Sequence, residues 1–217
     1  RAVHEAEKAE TLIFDLDGTI SDPFVGISRS VNYALESMGH AAVDPERIRP
    51  MIGPPLTDMF LAFLGDIDER HMLALVDKYR ERYARTGYRE NRLYDDIDTI
   101  VHTLHGKGYT LGVCTSKRVH YATRIVERFG RGPCFSFVDG GDVGVRKASQ
   151  LQNLVANGLD ARRAVMIGDR AVDIAAGKAN GIPALGVLWG FGSRDELAGA
   201  DADLLLETPH DLAAAFT

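Results

Sequence analysis

A parallel α/β sheet core, Rossmann-like with helices on both faces, plus a small inserted all-helical unit, is the architecture predicted by three features of the 217-residue chain. Short apolar runs recur along it and stop at polar or acidic residues. Helical patterns fill the intervals between those runs. One stretch near the start, 22–91, breaks the alternation and carries helical patterns alone. Strands alternating with helices imply a parallel sheet covered on both faces, so the chain divides into a core of 1–21 with 92–217 and an insertion of 22–91.

The first apolar run, Thr11 to Phe14, ends at Asp15 and is short enough for a buried parallel strand. Similar runs follow at Tyr109 to Thr115, Phe135 to Val138, Ala164 to Ile167, Ala184 to Leu188 and Asp203 to Leu206. Helices are predicted from Asp95 through His105 and over Val119 to Phe129, Lys147 to Asn157, Ala171 to Asn180 and His210 to Phe216. Gly181 and Pro183 supply a stop signal for the fourth of these. Within the insertion, Asp22-Pro23 reads as a cap followed by Pro at the first helical position. Ile27, Val31, Ala34, Leu35 and Met38 then recur at helical spacing. Asp44-Pro45 opens a short helix, Leu56 to Leu64 follows Pro54-Pro55, and Asp68 to Thr86 presents Met72, Leu75, Val76, Tyr79 and Tyr83 on one face.

Composition narrows the functional classes. Apolar residues make up 45% of the chain, enough to bury a sizeable core. The formal net charge of -6 argues against a nucleic-acid partner, whose binders carry a basic stripe. The longest apolar runs are far too short to cross a bilayer, so no membrane partner is expected. Arg1 to Glu10 is charged and lacks the apolar stretch of a signal peptide. The two cysteines, Cys114 and Cys134, lack metal or disulfide spacing, and a cytoplasmic protein with reduced thiols is expected. Monomer and homodimer both stay open.

Four segments carry chemistry. Asp15-Leu16-Asp17-Gly18-Thr19 directly follows the first strand, and ligands of open parallel sheets sit at the carboxyl ends of strands. Gly168-Asp169-Arg170-Ala171-Val172-Asp173 also follows an apolar strand and enters a helix; as plain structure, Asp169 is a helix cap and Asp173 a surface charge. If the two strands are neighbours, Asp15, Asp17, Asp169 and Asp173 meet. Carboxylates 4 Å apart repel by ~4 kcal/mol per pair at an effective dielectric of 20, which calls for a cation, protonation or both. Mg²⁺ fits, being a hard ion bound through carboxylates, waters and substrate phosphate; the Cys/His set that zinc prefers is missing. Thr115-Ser116-Lys117 ends the second core strand, where hydroxyls and backbone N–H groups make a phosphate seat. Lys147 begins a helix, where it opposes the helix dipole and gains nothing by placement, so a charge-pairing role is favoured; Lys117 and Arg146 compete for it. Trp189-Gly190-Phe191-Gly192, after the fifth core strand, fits a site rim or ordinary packing.

Asp15-x-Asp17-Gly18-Thr19, Thr115-Ser116, Lys147 and Gly168-Asp169-x-x-x-Asp173, in that order, resemble the four motifs of the haloacid dehalogenase superfamily across nearly the whole chain. Gly53-Pro54-Pro55-Leu56, Tyr79-Arg80-Glu81-Arg82-Tyr83 and Glu90-Asn91-x-x-Tyr94 resemble its phosphoglycolate phosphatase and 5′-nucleotidase-like branch. The short loop Gly144-Val145-Arg146 and the absence of Pro after Lys147 depart from many relatives. The resemblance implies a phosphatase acting on a small phosphorylated metabolite such as 2-phosphoglycolate. In it Asp15 is the nucleophile and Asp17 the general acid and base. Asp15, the carbonyl of Asp17, Asp169 and, through waters, Asp173 hold Mg²⁺. Thr115 and Lys147 hold the phosphoryl oxygens. Thr19, Ser116, Gly53, Pro54 and Arg29 are candidate substrate contacts, and the inserted helices of 22–91, which resemble the superfamily's small all-helical cap domain, are expected to close over the site. A nucleoside 5′-monophosphate phosphatase, a sugar phosphomutase and a phospho-aspartate signalling switch are the alternatives. Asp17 argues against a dehalogenase, and Lys78, the insertion's single lysine, reads as solvated rather than as a Schiff-base lysine.

Overall fold

The computed structural model describes residues 9–53, 55–141 and 145–216. Six strands form one parallel sheet: β1 (Thr11–Phe14), β4 (Thr110–Arg118), β5 (Phe135–Gly141), β6 (Ala164–Gly168), β7 (Ala184–Val187) and β8 (Leu204–Leu206). Their spatial order is β5-β4-β1-β6-β7-β8. β1 is therefore central, flanked by β4 through Phe14↔Val113 and by β6 through Phe14↔Ile167. From β1 the chain builds the sheet outward to β4 and β5, then returns to the other side of β1 for β6. That reversal creates a crevice at the carboxyl ends of β1, β4 and β6, the switch point at which such sheets bind ligands.

Helices α5 (Ile97–Gly106), α6 (Val119–Arg128), α7 (Lys147–Ala156), α8 (Ala171–Ala179), α9 (Arg194–Gly199) and α10 (Pro209–Ala215) accompany the sheet. Ile13 on β1, Cys114 on β4, Met166 on β6, Leu151 on α7 and Ile174 on α8 share one buried cluster. Leu12, Ile13 and Phe14 of β1 have zero exposure, and Thr11 at its start is partly exposed; this burial is why the strand reads as a continuous apolar run rather than an alternating one.

Pro23–Arg92 is a separate compact unit. Its helices are α1 (Phe24–Ser37), α2 (Pro45–Ile48), α3 (Leu56–Leu64) and α4 (Glu69–Arg85). Val31, Ala34 and Leu35 of α1 pack with Phe60 of α3 and with Leu75 and Val76 of α4 around a core of their own. Asp44 caps α2 by accepting from the Glu46 N–H at 2.9 Å, and Asp68 caps α4 by accepting from the His71 N–H at 2.7 Å; each leaves one fewer unpaired donor in a first turn. The start of α1 differs from expectation. Asp22 belongs to a two-residue strand, β2 (Ser21–Asp22), and Pro23 itself is the cap residue rather than the first helical residue. The second two-residue strand, β3 (Arg92–Leu93), also lacks any sequence periodicity to announce it. Among the described residues no helix is long and apolar enough to cross a membrane.

Candidate active site

Each strand of the central trio ends in a residue with chemistry. Asp15 follows β1, and its N–H donates to the Ile167 carbonyl at 2.9 Å, extending the β1–β6 ladder by one step. Asp169 follows β6, and Thr115 lies near the end of β4. Carboxylate oxygens of Asp15, Asp169 and Asp173 lie within 4.8 Å of one another, and all three residues are buried. The carboxylates of residues 15 and 169, separated by more than 150 positions, therefore face one small volume.

Lys147 is the cation among them. It is 2% exposed, its Nζ lies 2.9 Å from Asp15 Oδ1, and it also donates to Asp173 Oδ1. The competing candidates are placed elsewhere: Lys117 Nζ pairs with Asp17 Oδ2 at 3.0 Å, and Arg146 is exposed. Asp17 is thus held by its own lysine, outside the three-carboxylate cluster. Asp173 is not surface charge. It has no exposure, and its Oδ2 accepts from the Arg170 N–H at 3.0 Å while Oδ1 meets Lys147. Asp169 is not the cap of α8, a position taken by Arg170. Its Oδ2 instead accepts from the Phe191 N–H at 2.8 Å, and its Oδ1 accepts from the Thr19 hydroxyl at 3.4 Å.

Two glycines make this density of groups fit. Gly18 turns the chain with φ +87°, and a Cβ there would lie 2.1 Å from Asp169 Oδ2. Gly190 crosses the same spot from the other side, where a Cβ would lie 2.2 Å from the Gly18 carbonyl oxygen and 2.4 Å from Asp169 Cβ. The loop after β7 is thereby pressed onto both acidic segments, and Trp189 Nε1 adds a hydrogen bond to the Thr19 carbonyl at 2.9 Å. The Phe191 donor is a backbone group, so no residue type in the sequence betrays it. The Trp-Gly-Phe-Gly composition is its only signal.

Thr115 is 2% exposed, and its Oγ1 accepts from the Lys117 N–H at 3.2 Å, which leaves the hydroxyl hydrogen to donate. Ser116 is exposed. In the helical unit, Arg29 Nη1 pairs with Glu90 at 2.8 Å, Gly53 is exposed, and Pro54 lies outside the described residues.

The electrostatics are unbalanced, with three carboxylates around one ammonium. Burial, with the charges of Asp15 and Asp173, pushes the Asp169 carboxyl well above its ordinary range. Burial likewise pushes Asp173 up to about 6, against the pull of Lys147. Burial alone would lower the Lys147 pKa, but Asp15 and Asp173 carry it above that of an ordinary lysine. The neighbouring Cys114 thiol is buried and pushed up to about 12, so it stays neutral. A hard divalent cation fits this donor set of converging buried oxygens, and it relieves the excess negative charge.

The sign of the pH dependence follows. With folded values above the unfolded 3.8, Asp169 and Asp173 bind more protons in the folded state. Stability of the metal-free chain is fully present below that value and falls as pH rises through about 6 for Asp173, and further for Asp169. Mg²⁺ is expected to raise the urea midpoint more at about pH 7.5 than at about pH 5. An increment equal at both pH values would contradict this reading of the cluster.

The sequence profile of the haloacid dehalogenase-like hydrolases matches residues 12–187. A 5′-nucleotidase of Pseudomonas aeruginosa is 40% identical over 190 residues, covering 86% of each chain. A phosphoglycolate phosphatase of Xanthomonas campestris pv. campestris is 30% identical over 207 residues, covering 93% of each. The solved structure of protein tyrosine kinase A (PtkA) from Mycobacterium tuberculosis superposes with a TM-score of 0.82 at 31% identity, covering 96% of this chain and 98% of that one. The chain belongs to the haloacid dehalogenase-like hydrolases. It is an enzyme of the hydrolase class, and the phosphatase and nucleotidase names among its relatives support phosphoric monoester hydrolysis.

Proposed function

We propose that the chain hydrolyses a small-molecule phosphate monoester through an aspartyl-phosphate on Asp15, with Mg²⁺ as cofactor. The observation that carries the reading is the placement of the Asp15 carboxylate at the switch point, 2.9 Å from the buried Lys147 ammonium and grouped with Asp169 and Asp173. Asp15 and Asp169 would hold the ion with the carbonyl of Asp17, and Asp173 would orient its waters. Bound there, the ion neutralises charge on the cluster and on the phosphoryl oxygens.

In the first step a carboxylate oxygen of Asp15 bonds to phosphorus as the ester P–O bond breaks, and Asp17, protonated and parted from Lys117 for this step, gives its proton to the departing alkoxide. In the second, Asp17 takes a proton from a water whose oxygen attacks phosphorus; the bond to Asp15 breaks and inorganic phosphate leaves. Lys147 stays protonated throughout and offsets charge on Asp15 and the phosphoryl group. The Thr115 hydroxyl donates to a phosphoryl oxygen. These are positioning and charge-stabilising roles, which dominate phosphoryl transfer. Two free, buried thiols suit a reducing, cytoplasmic setting.

Two substrate classes follow from the relatives, a 2-phosphoglycolate-like acid and a nucleoside 5′-monophosphate. The kinase name of one relative makes the acceptor, water or a hydroxyl, the point to test. A panel of phosphate monoesters assayed with Mg²⁺, with and without chelator, is expected to release inorganic phosphate only when metal is present. Release indifferent to chelator removes the metal from the scheme. Phosphate transferred to another hydroxyl, with none released to water, replaces the hydrolase by a phosphotransferase or mutase.

A further inference from the structure

Gln150 lies one turn after Lys147 on α7 and is 4% exposed, a long polar side chain where an apolar one would bury more cheaply. Its Nε2 donates to the Thr115 carbonyl at 3.1 Å and to Asp139 Oδ2 at 2.8 Å. Thr115 sits where the β4–β5 pairing loses its register, between Thr115 and Arg118. The amide thus supplies the Thr115 carbonyl with a side-chain donor at the last in-register pair before the break, Thr115↔Gly140. The amide cannot be turned over, because its oxygen would then face a carbonyl and a carboxylate. Held this way round, its Oε1 is buried without a partner among the described residues. An orphaned buried acceptor is unfavourable, so this arrangement gives up stability while keeping both donors in place.

We infer that Gln150 is a positioning residue for the phosphoryl seat. One helix turn carries both Lys147, aimed at Asp15, and the amide that pins the backbone of Thr115, so the ammonium and the hydroxyl are set relative to one another by a single rigid element. The amide donates to neither Asp15 nor Lys147; Gln150 acts through Thr115. The inference rests on the phosphatase reading for the meaning of the seat, but its test reads phosphate affinity and not turnover alone.

Gln150→Met keeps the length and removes both donors. It is made in the wild-type chain and in a Thr115→Ala background, with Mg²⁺ present. Inorganic phosphate affinity is read by calorimetry, KM and kcat with p-nitrophenyl phosphate, and folding by thermal unfolding. In the wild-type background, phosphate binding is expected to weaken about tenfold, with KM rising in step. In the Thr115→Ala background, the same change is expected to shift either value by less than about twofold, because the group it positions is gone. An equal loss in both backgrounds, or no loss in the wild-type one, overturns the inference. If Gln150→Met does not fold, Asp139→Ala, which cuts the amide's second anchor at a half-buried residue, carries the same comparison and is decided by the same outcomes. A wild-type chain that binds phosphate through Thr115 without turning over any ester sinks the hydrolase reading and leaves this one standing.

Discussion

Asp15→Asn is expected to lower kcat by at least about 10⁴-fold while leaving the chain folded. The amide is close in shape but cannot supply the anionic oxygen that bonds to phosphorus. Removing one carboxylate from a cluster of three also relieves repulsion, and Lys147 keeps Asp173 as a partner. Thermal unfolding of the metal-free variant should therefore be no worse than that of the wild type. The pairing of lost turnover with retained stability is the point, since a merely structural Asp15 would lose both together. Steady-state kinetics beside a melting curve decide it, and turnover near the wild-type level ends the nucleophile assignment.

Lys147→Met is expected to damage both stability and turnover. The side chain is of similar length, but the ammonium that faces Asp15 and Asp173 disappears, and those carboxylates are left buried without their cation. Breaking a buried pair in this way costs roughly 3–5 kcal/mol. The cost should shrink as pH falls and Asp173 takes up a proton, and it should shrink again when Mg²⁺ replaces part of the missing charge. Turnover with Mg²⁺ should fall at least about 10³-fold, because the phosphoryl group loses a charge-assisted contact. Urea unfolding with and without Mg²⁺ measures the first effect. A variant as stable as the wild type at neutral pH, without metal, would contradict the picture of one lysine balancing crowded carboxylates.

Much of this architecture is legible in the sequence. The six sheet strands appear as apolar runs, the inner β1, β6 and β7 most clearly because a parallel sheet buries both faces there, and five of the core helices appear as periodic patterns between them. The acidic segments stand out because each follows such a run directly. Other features leave weaker traces. β2 and β3 are two residues each, too short for periodicity. The six-residue α9 is too short for a clear pattern, and its one signal is the Ser-x-x-Glu spacing, with Ser193 capping the helix by accepting from the Glu196 N–H at 3.1 Å. Sequence leaves Lys117, Arg146 and Lys147 in competition, since charge alone does not distinguish them. Placement does, with Lys147 enclosed at the start of α7 against Asp15, Lys117 turned to Asp17 and Arg146 exposed. The Phe191 N–H that holds Asp169 and the Thr115 carbonyl that Gln150 holds are backbone groups, which no residue-type pattern can mark.

The central claim is a covalent phosphoryl group on one carboxylate. Acid quenching during turnover with Mg²⁺, reduction with borohydride and peptide mapping test it most directly, because an aspartyl-phosphate is reduced to homoserine. Homoserine at position 15, dependent on substrate and absent in Asp15→Asn, is the predicted result. Continued phosphate release with position 15 unmodified at every quench time, or modification at a different aspartate, would contradict the account.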